Sequence, residues 1–268
     1  MIEKSKLGFV GAGNMGKALI EGLVGQIAPG QITAADLIPE ALESLAALEV
    51  NTSTQAVDAV RGQDLVILGL KPQVATPVLA ELAPLLAAGQ IVVSMMAGVP
   101  TARIEELLPE GTPVVRVMPQ TLVRLRAAAC ALSAGRAASG EQLALVRSLF
   151  DLVGTTVEVA ESQMDAVTGL SGSGPAWAYT VIEALIDGGV RAGLPREVAT
   201  KLAAQTLSGA ARLVLESGEH PAVLKDQVTS PGGTTIAGLH VLEEKGLRDA
   251  LISAVQAAAR RSAELGQA

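Results

Sequence analysis

The sequence predicts an α/β fold, with a doubly wound parallel sheet over residues 1–160 and helices alone over residues 161–268. Three observations carry this. Short apolar runs alternate with helix-length segments through the first half. A glycine-rich turn joins the first run directly to the first helical segment. Beyond Glu161 no strand pattern recurs.

The strand candidates are Leu7-Gly8-Phe9-Val10, Ile32-Thr33-Ala34-Ala35, Leu65-Val66-Ile67-Leu68, Ile91-Val92-Val93 and Val114-Val115-Arg116-Val117, bounded by Gly, Pro or Asp. Helical segments such as Lys17 to Val24 and Ala41 to Leu48 lie between them, and Pro77 and Pro84 predict a short or kinked helix after the Asp64 strand. In the second half, Pro195 suits a helix start, where an N–H has no intrahelical partner to lose. Val198, Leu202, Ala210, Leu213 and Val214 then recur at helical spacing, with Glu197, Lys201, Gln205, Arg212 and Glu216 on much of the other face. The last helix is expected from Leu247 to Leu265.

Composition excludes several classes. The 268 residues carry 20 basic and 27 acidic side chains, a net charge of -7, with two Phe, one Trp and one Tyr. With no basic stripe and so few rings for bases to stack on, a nucleic-acid partner is not expected. The apolar residues near the N-terminus carry glycines rather than an unbroken signal core, and the apolar stretch from Val181 is broken by Glu183 and Asp187. Neither a membrane span nor a membrane partner is expected. The single cysteine, Cys130, fits a reducing, cytoplasmic compartment and reads as a small core residue. His220 and His240, with no acidic cluster between them, make no metal site.

Gly11-Ala12-Gly13-Asn14-Met15-Gly16 is the Rossmann-like fingerprint. The first glycine makes the turn, the second admits a pyrophosphate, and the third lets helix and strand pack, while free N–H groups at the helix start face the phosphates. The strand–loop–helix context and Asp36 at the end of the second strand strengthen that reading. A carboxylate at Asp36 accepts from a ribose hydroxyl and repels a ribose phosphate, and Leu37 and Ile38 offer no group for that phosphate. NAD(H) is therefore expected over NADP(H).

Two further motifs stand in the second half: Leu170-Ser171-Gly172-Ser173-Gly174-Pro175-Ala176, and Val228-Thr229-Ser230-Pro231-Gly232-Gly233-Thr234-Thr235-Ile236. In the latter, glycines precede a helix start lined with hydroxyls, which is a carboxylate site or, more simply, an N-cap. Ile236, Leu239 and Leu242 of that helix are expected to face inward.

With the glycine loop, and with Gly218-Glu219-His220-Pro221 upstream, these motifs resemble the pyrroline-5-carboxylate reductase family over nearly the whole chain. The resemblance implies that residues 161–268 form a dimerisation domain, that the chain is a homodimer unit, alone or within a larger homo-oligomer, and that each site uses both subunits. It implies reduction of a small cyclic imine carboxylate, with Ser230, Gly233 and Thr234 on the carboxylate and Thr235 on the ring nitrogen. Glu161 matches an acidic residue lining that pocket. Leu70, Lys71, Pro72, Ala97, Gly98 and Met118 match loops around the cofactor, and Gln227 matches a position reaching the cofactor from the helical domain. The family's usual Met-Pro-Asn-Thr-Pro reads Met118-Pro119-Gln120-Thr121-Leu122 here, and Trp177 replaces a smaller aromatic.

The alternatives are an oxidoreductase of the same architecture acting on another imine or a hydroxy acid, and a non-catalytic dinucleotide-binding protein. A hydrolase is excluded because Gly169-Leu170-Ser171-Gly172-Ser173 lacks the last glycine of a nucleophile elbow.

Overall fold

The computed structural model describes residues 2–267. The chain alternates β1 (Leu7–Val10), α1 (Asn14–Leu23), β2 (Ile32–Ala35), α2 (Pro39–Ala46), β3 (Asn51–Ser53), β4 (Leu65–Leu68), α3 (Pro72–Leu82), β5 (Ile91–Ser94), α4 (Thr101–Glu105) and β6 (Val114–Met118). There follow β7 (Ala128–Ala134), α5 (Gly140–Asp151), β8 (Gly154–Glu158) and the short α6 (Met164–Val167). Helices alone complete it: α7 (Gly174–Arg191), α8 (Arg196–Ser217), α9 (Pro221–Gln227), α10 (Thr234–Glu244) and α11 (Leu247–Gln267).

One sheet takes the order β3-β2-β1-β4-β5-β6-β7-β8. Pairing is parallel throughout except between β6 and β7, where Val115 faces Ala134 and Val117 faces Leu132 in antiparallel register. The turn between these two strands passes through Arg126 at φ 55°, whose guanidinium donates to the carbonyls of Gly22 and Val24. Strand order reverses beside β1, so the carboxyl ends of β1 and β4 open a crevice there, where ligands bind in such sheets.

Both faces of the sheet are covered. Phe9, Leu65, Ile67 and Val93 pack with α1, α2 and α5 through Leu19, Leu45 and Phe150. Val66, Leu68 and Val92 turn to the other face, with Leu79 of α3 and Ile104 of α4. This is why the central strands read as unbroken apolar runs rather than alternating ones. Pro77 lies inside α3, which nonetheless runs 11 residues and stops before Pro84.

The described residues up to 173 and from 256 onward make one compact unit, and residues 174–255 make a second. The division differs from a cut at residue 160, because Met164 is fully buried in a cluster with Met118 and Ala131 of the sheet. Within the second unit α7 and α8 pack through small residues: Ala199 and Ala203 are buried, and a side chain at Gly189 would press on Ala199. The apolar face expected of α8 lies elsewhere: Val198, Leu202 and Leu213 are 43%, 55% and 50% exposed in the single chain. Ile236 and Leu242 of α10 are likewise 44% and 45% exposed, so they do not face an intrachain core. Large apolar side chains left exposed along these helices are the signature of an interaction surface. Among the described residues no helix is long and apolar enough to cross a membrane.

Candidate active site

The glycine loop is shaped by contacts that each glycine alone permits, and by one that the protein does not make. Gly11 takes φ +97°, and a Cβ there would sit 2.7 Å from the Gly69 carbonyl oxygen at the end of β4. A Cβ on Gly16 would overlap the Gly11 carbonyl, so the helix start rests directly on the strand end. Gly13 is different: nothing lies within 4 Å of the position its Cβ would take. No side chain caps α1 there, and the amides of Asn14, Met15 and Gly16 have no acceptor among the described residues. Unpaired donors at a helix start, opening on space that no side chain fills, fit a bound pyrophosphate.

Asp36 follows β2 at the rim of this loop. Its Oδ2 accepts from the Ala12 amide at 2.8 Å and its Oδ1 from the Ile38 amide at 3.0 Å. The carboxylate is thereby held beside the loop, while Leu37 and Ile38 stand 84% and 60% exposed.

The loops at the carboxyl ends of β4, β5 and β6 carry the next group. Leu70 is half-buried, Lys71 is exposed at the start of α3, and Pro72 is its first residue. Ala97 is half-buried, whereas Gly98 is buried at φ +75°, its open side filled by the backbone of Ser262 and Gly266 of α11. Met118 is buried beside Gly172, and Gln120 is buried with no hydrogen bond to its Oε1. Glu161 turns inward to the protein: Oε1 accepts from the Thr101 amide and Oε2 from the Thr101 hydroxyl, both at 2.7 Å. Arg116 donates to Glu161 Oε1 at 3.4 Å. Sequence reasoning missed Arg116 and Thr101, although a lone arginine within an apolar strand signals a buried partner.

The second unit carries its own group. Gln227 ends α9 and donates to Glu219 at 3.1 Å. Gly232 takes φ +66°, the Gly233 amide donates to the Ser230 carbonyl at 3.1 Å, and a side chain at Gly233 would collide with Ser230 Oγ. Gly233 precedes α10 without any side-chain cap. The hydroxyls of Thr200, Thr206 and Thr229 each donate to the carbonyl four residues back. Thr234 and Thr235, in the first turn of α10, have no such carbonyl within the helix. Their hydroxyls make no hydrogen bond among the described residues, which leaves them and the helix-start amides for a ligand.

Other reactive groups are accounted for by structure. Cys130 is buried, and burial with the nearby Asp151 charge pushes its thiol up from 9.0 to about 12. His220 Nδ1 accepts from the Ala222 amide at 3.2 Å and caps α9. Among the described residues no group of His, Cys, Asp and Glu could hold a metal ion.

The first unit thus defines a dinucleotide-binding oxidoreductase of the doubly wound class. Comparison with known proteins narrows the class. A family model described as pyrroline-5-carboxylate reductase dimerisation matches residues 161–265, and one described as NADP oxidoreductase coenzyme F420-dependent matches residues 6–98. The pyrroline-5-carboxylate reductase of Methanosarcina acetivorans is 48% identical over 99% of this chain and 100% of its own. A structure of that reductase from Coxiella burnetii superposes with TM-score 0.89 at 35% identity, over 97% of this chain and 98% of that one. The Plasmodium falciparum pyrroline carboxylate reductase, solved with NADP bound, gives 0.90 at 30% identity over 98% and 99%. The chain belongs to the pyrroline-5-carboxylate reductase family. The dimerisation match falls on the helices whose apolar faces are exposed, and together they point to a homo-oligomer.

Proposed function

We propose that this chain reduces 1-pyrroline-5-carboxylate to L-proline. The observation that carries the reading is the open start of α10, where the Thr234 and Thr235 hydroxyls and the adjoining amides are unspent. A five-membered imine carboxylate matches that donor set. The Thr234 amide holds the carboxylate with Ser230 and Gly233 at its side, and the Thr235 hydroxyl holds the ring nitrogen.

The dihydronicotinamide, when bound, supplies the hydride. The protein's residues bind and orient. The Gly11–Gly16 loop seats the pyrophosphate, Asp36 accepts from the adenosine ribose, and Leu70, Lys71, Pro72, Ala97, Gly98, Met118 and Gln227 belong to the cofactor's surroundings. Hydride adds to the C=N carbon of the protonated imine, and the nitrogen keeps its proton as a secondary amine. That imine is already electrophilic, so a strong side-chain acid is unnecessary, and orientation supplies most of the rate. Reduction of a keto acid to a hydroxy acid would instead want a Lys or His acid, and His220 is engaged as a helix cap.

Glu161 serves this site from behind, since both its oxygens already accept from Thr101. Two chains build each site, NADH is the preferred reductant, and the reaction takes place in the cytoplasm, where a lone buried thiol is at ease. Following oxidation of NADH and NADPH with pyrroline-5-carboxylate, and identifying the product, tests the reading. No oxidation of either dinucleotide, or a product other than L-proline, overturns it.

A further inference from the structure

Arg116 is the one charged residue among the described residues that is buried. Its strand neighbours on β5 and β7 are Ser94 and Ser133, both small and both buried, which leaves room for a guanidinium over the sheet. Nε and Nη2 have no hydrogen bond, and Nη2 lies 4.0 Å from Asp165 Oδ1. A buried charge so partnered is a poor source of stability, because desolvation offsets most of what the ion pair returns. Its value lies in geometry.

The contacts close a ring. Arg116 donates to Glu161, and Glu161 grips Thr101 through both its amide and its hydroxyl. Thr101 follows the loop that contains Ala97 and Gly98, and Gly98 is pressed against Ser262 and Gly266 of α11. Ser262 Oγ donates to Asp165 Oδ1 at 2.6 Å, and Asp165 faces Arg116 again. The ring fixes the loop after β5 from two sides. Arg116 itself lies two residues before Met118, where the loop after β6 begins.

We infer that Arg116, acting through Glu161, is a positioning residue for hydride transfer: it locks the loops after β5 and β6 in the places from which they flank the nicotinamide. This rests on the reductase reading above. Glu161 then acts on the loops and not on substrate, and the bond to Thr101 is the means.

The test compares wild type with Arg116→Met and Arg116→Lys as full-length protein. Hydrogen exchange without ligand reads the lock directly: the Thr101 amide, which donates to Glu161, loses protection in Arg116→Met, while the NADH dissociation constant measured by fluorescence stays within about threefold, since no phosphate contact is touched. In turnover with pyrroline-5-carboxylate, kcat falls by about tenfold or more with both KM values little changed, because misplacement costs rate before affinity. The isotope effect from dinucleotide deuterated at the transferred position rises, and Arg116→Lys, which keeps the charge but not the fork, recovers part of kcat. Where Arg116→Met does not fold, Ser262→Ala opens the ring at its Asp165 link and is held to the same exchange and isotope readouts. Unchanged protection of the Thr101 amide, or wild-type kcat and isotope effect in a folded variant, overturns the inference. So does a rise confined to the imine KM, which would make Glu161 a substrate contact. A wild-type protein that does not reduce the imine sinks the reductase reading instead, and the exchange result is independent of it.

Discussion

Asp36 and Ala12 are joined at the rim of the glycine loop, the Ala12 amide donating to Asp36 Oδ2 at 2.8 Å. The bond fixes a negative charge beside the loop, with a second amide, from Ile38, on the other oxygen at 3.0 Å. Each oxygen keeps a lone pair for a ribose hydroxyl, while a ribose phosphate at this place would meet a like charge.

The first prediction separates charge from hydrogen bond. Asp36→Asn keeps the length of the side chain and an acceptor for Ala12, and removes the charge. Preference for NADH over NADPH, read as the ratio of kcat/KM values, is expected to fall by about tenfold, the equivalent of roughly 1.4 kcal/mol of repulsion relieved. Wild-type efficiency already higher with NADPH would show that Asp36 does not govern the choice.

The second prediction uses two glycines of one loop. At Gly13 the backbone is at φ -65° and an added methyl meets nothing. Gly13→Ala should melt within a degree or two of wild type while its dinucleotide affinity drops by about tenfold, the methyl intruding where backbone approaches pyrophosphate. Gly11→Ala should instead cost on the order of 1–3 kcal/mol of stability, since it combines φ +97° with a carbonyl 2.7 Å away. Thermal melts and dinucleotide titrations of the two variants decide it; unimpaired binding by Gly13→Ala would remove the phosphates from this helix start.

How far these features were legible in the sequence depended on side-chain size and partner. β1, β2, β4, β5 and β6 announce themselves by apolar runs ending in Gly, Pro or a polar turn, because both faces of each are covered. β7, read as Ala-Ala-Cys-Ala-Leu-Ser-Ala, is built of small residues with little strand preference, and its place comes from pairing with β6. β3 is polar and three residues long. α5 was recoverable, since Ser139 and Gln142 form a capping box at its start. For the site, the glycine loop and Asp36 were legible as a local motif. The ring through Arg116, Glu161, Thr101 and Ser262 was not, because its members lie up to 161 positions apart in sequence and meet only through the sheet. The helical periodicity of α8 was visible, but a monomer's core and an oligomer's interface write the same pattern.

That ambiguity carries the third prediction. Leu202 and Leu213 of α8 are 55% and 50% exposed in the single chain. Covering the exposed half of each by a second chain is worth roughly 1–1.5 kcal/mol, and a carboxylate in its place opposes association outright. Leu202→Asp combined with Leu213→Asp should therefore sediment as a monomer at concentrations where wild type does not. Imine reduction should be lost with the oligomer, and dinucleotide binding by the first unit should survive. A monomer with full activity would mean that one chain suffices for the site.

The last prediction concerns the start of α10. Thr235 is half-buried in its first turn, and its hydroxyl has no partner among the described residues, unlike those of Thr200, Thr206 and Thr229. Thr235→Val preserves the shape and branching of the side chain and deletes only the oxygen. No protein hydrogen bond is lost with it, so the melting temperature should stay close to that of wild type. If the oxygen holds the substrate nitrogen, its removal leaves that nitrogen unpaired in the complex, at a cost on the order of 1–3 kcal/mol. At about 1.4 kcal/mol per decade, kcat/KM for the imine falls roughly ten- to hundredfold. Dinucleotide affinity should hardly move, because the Gly11–Gly16 loop is untouched, and Thr235→Ser, which restores the hydroxyl, should recover most of the loss. Normal imine reduction by Thr235→Val, or damage confined to dinucleotide binding, would assign this helix start to a different ligand.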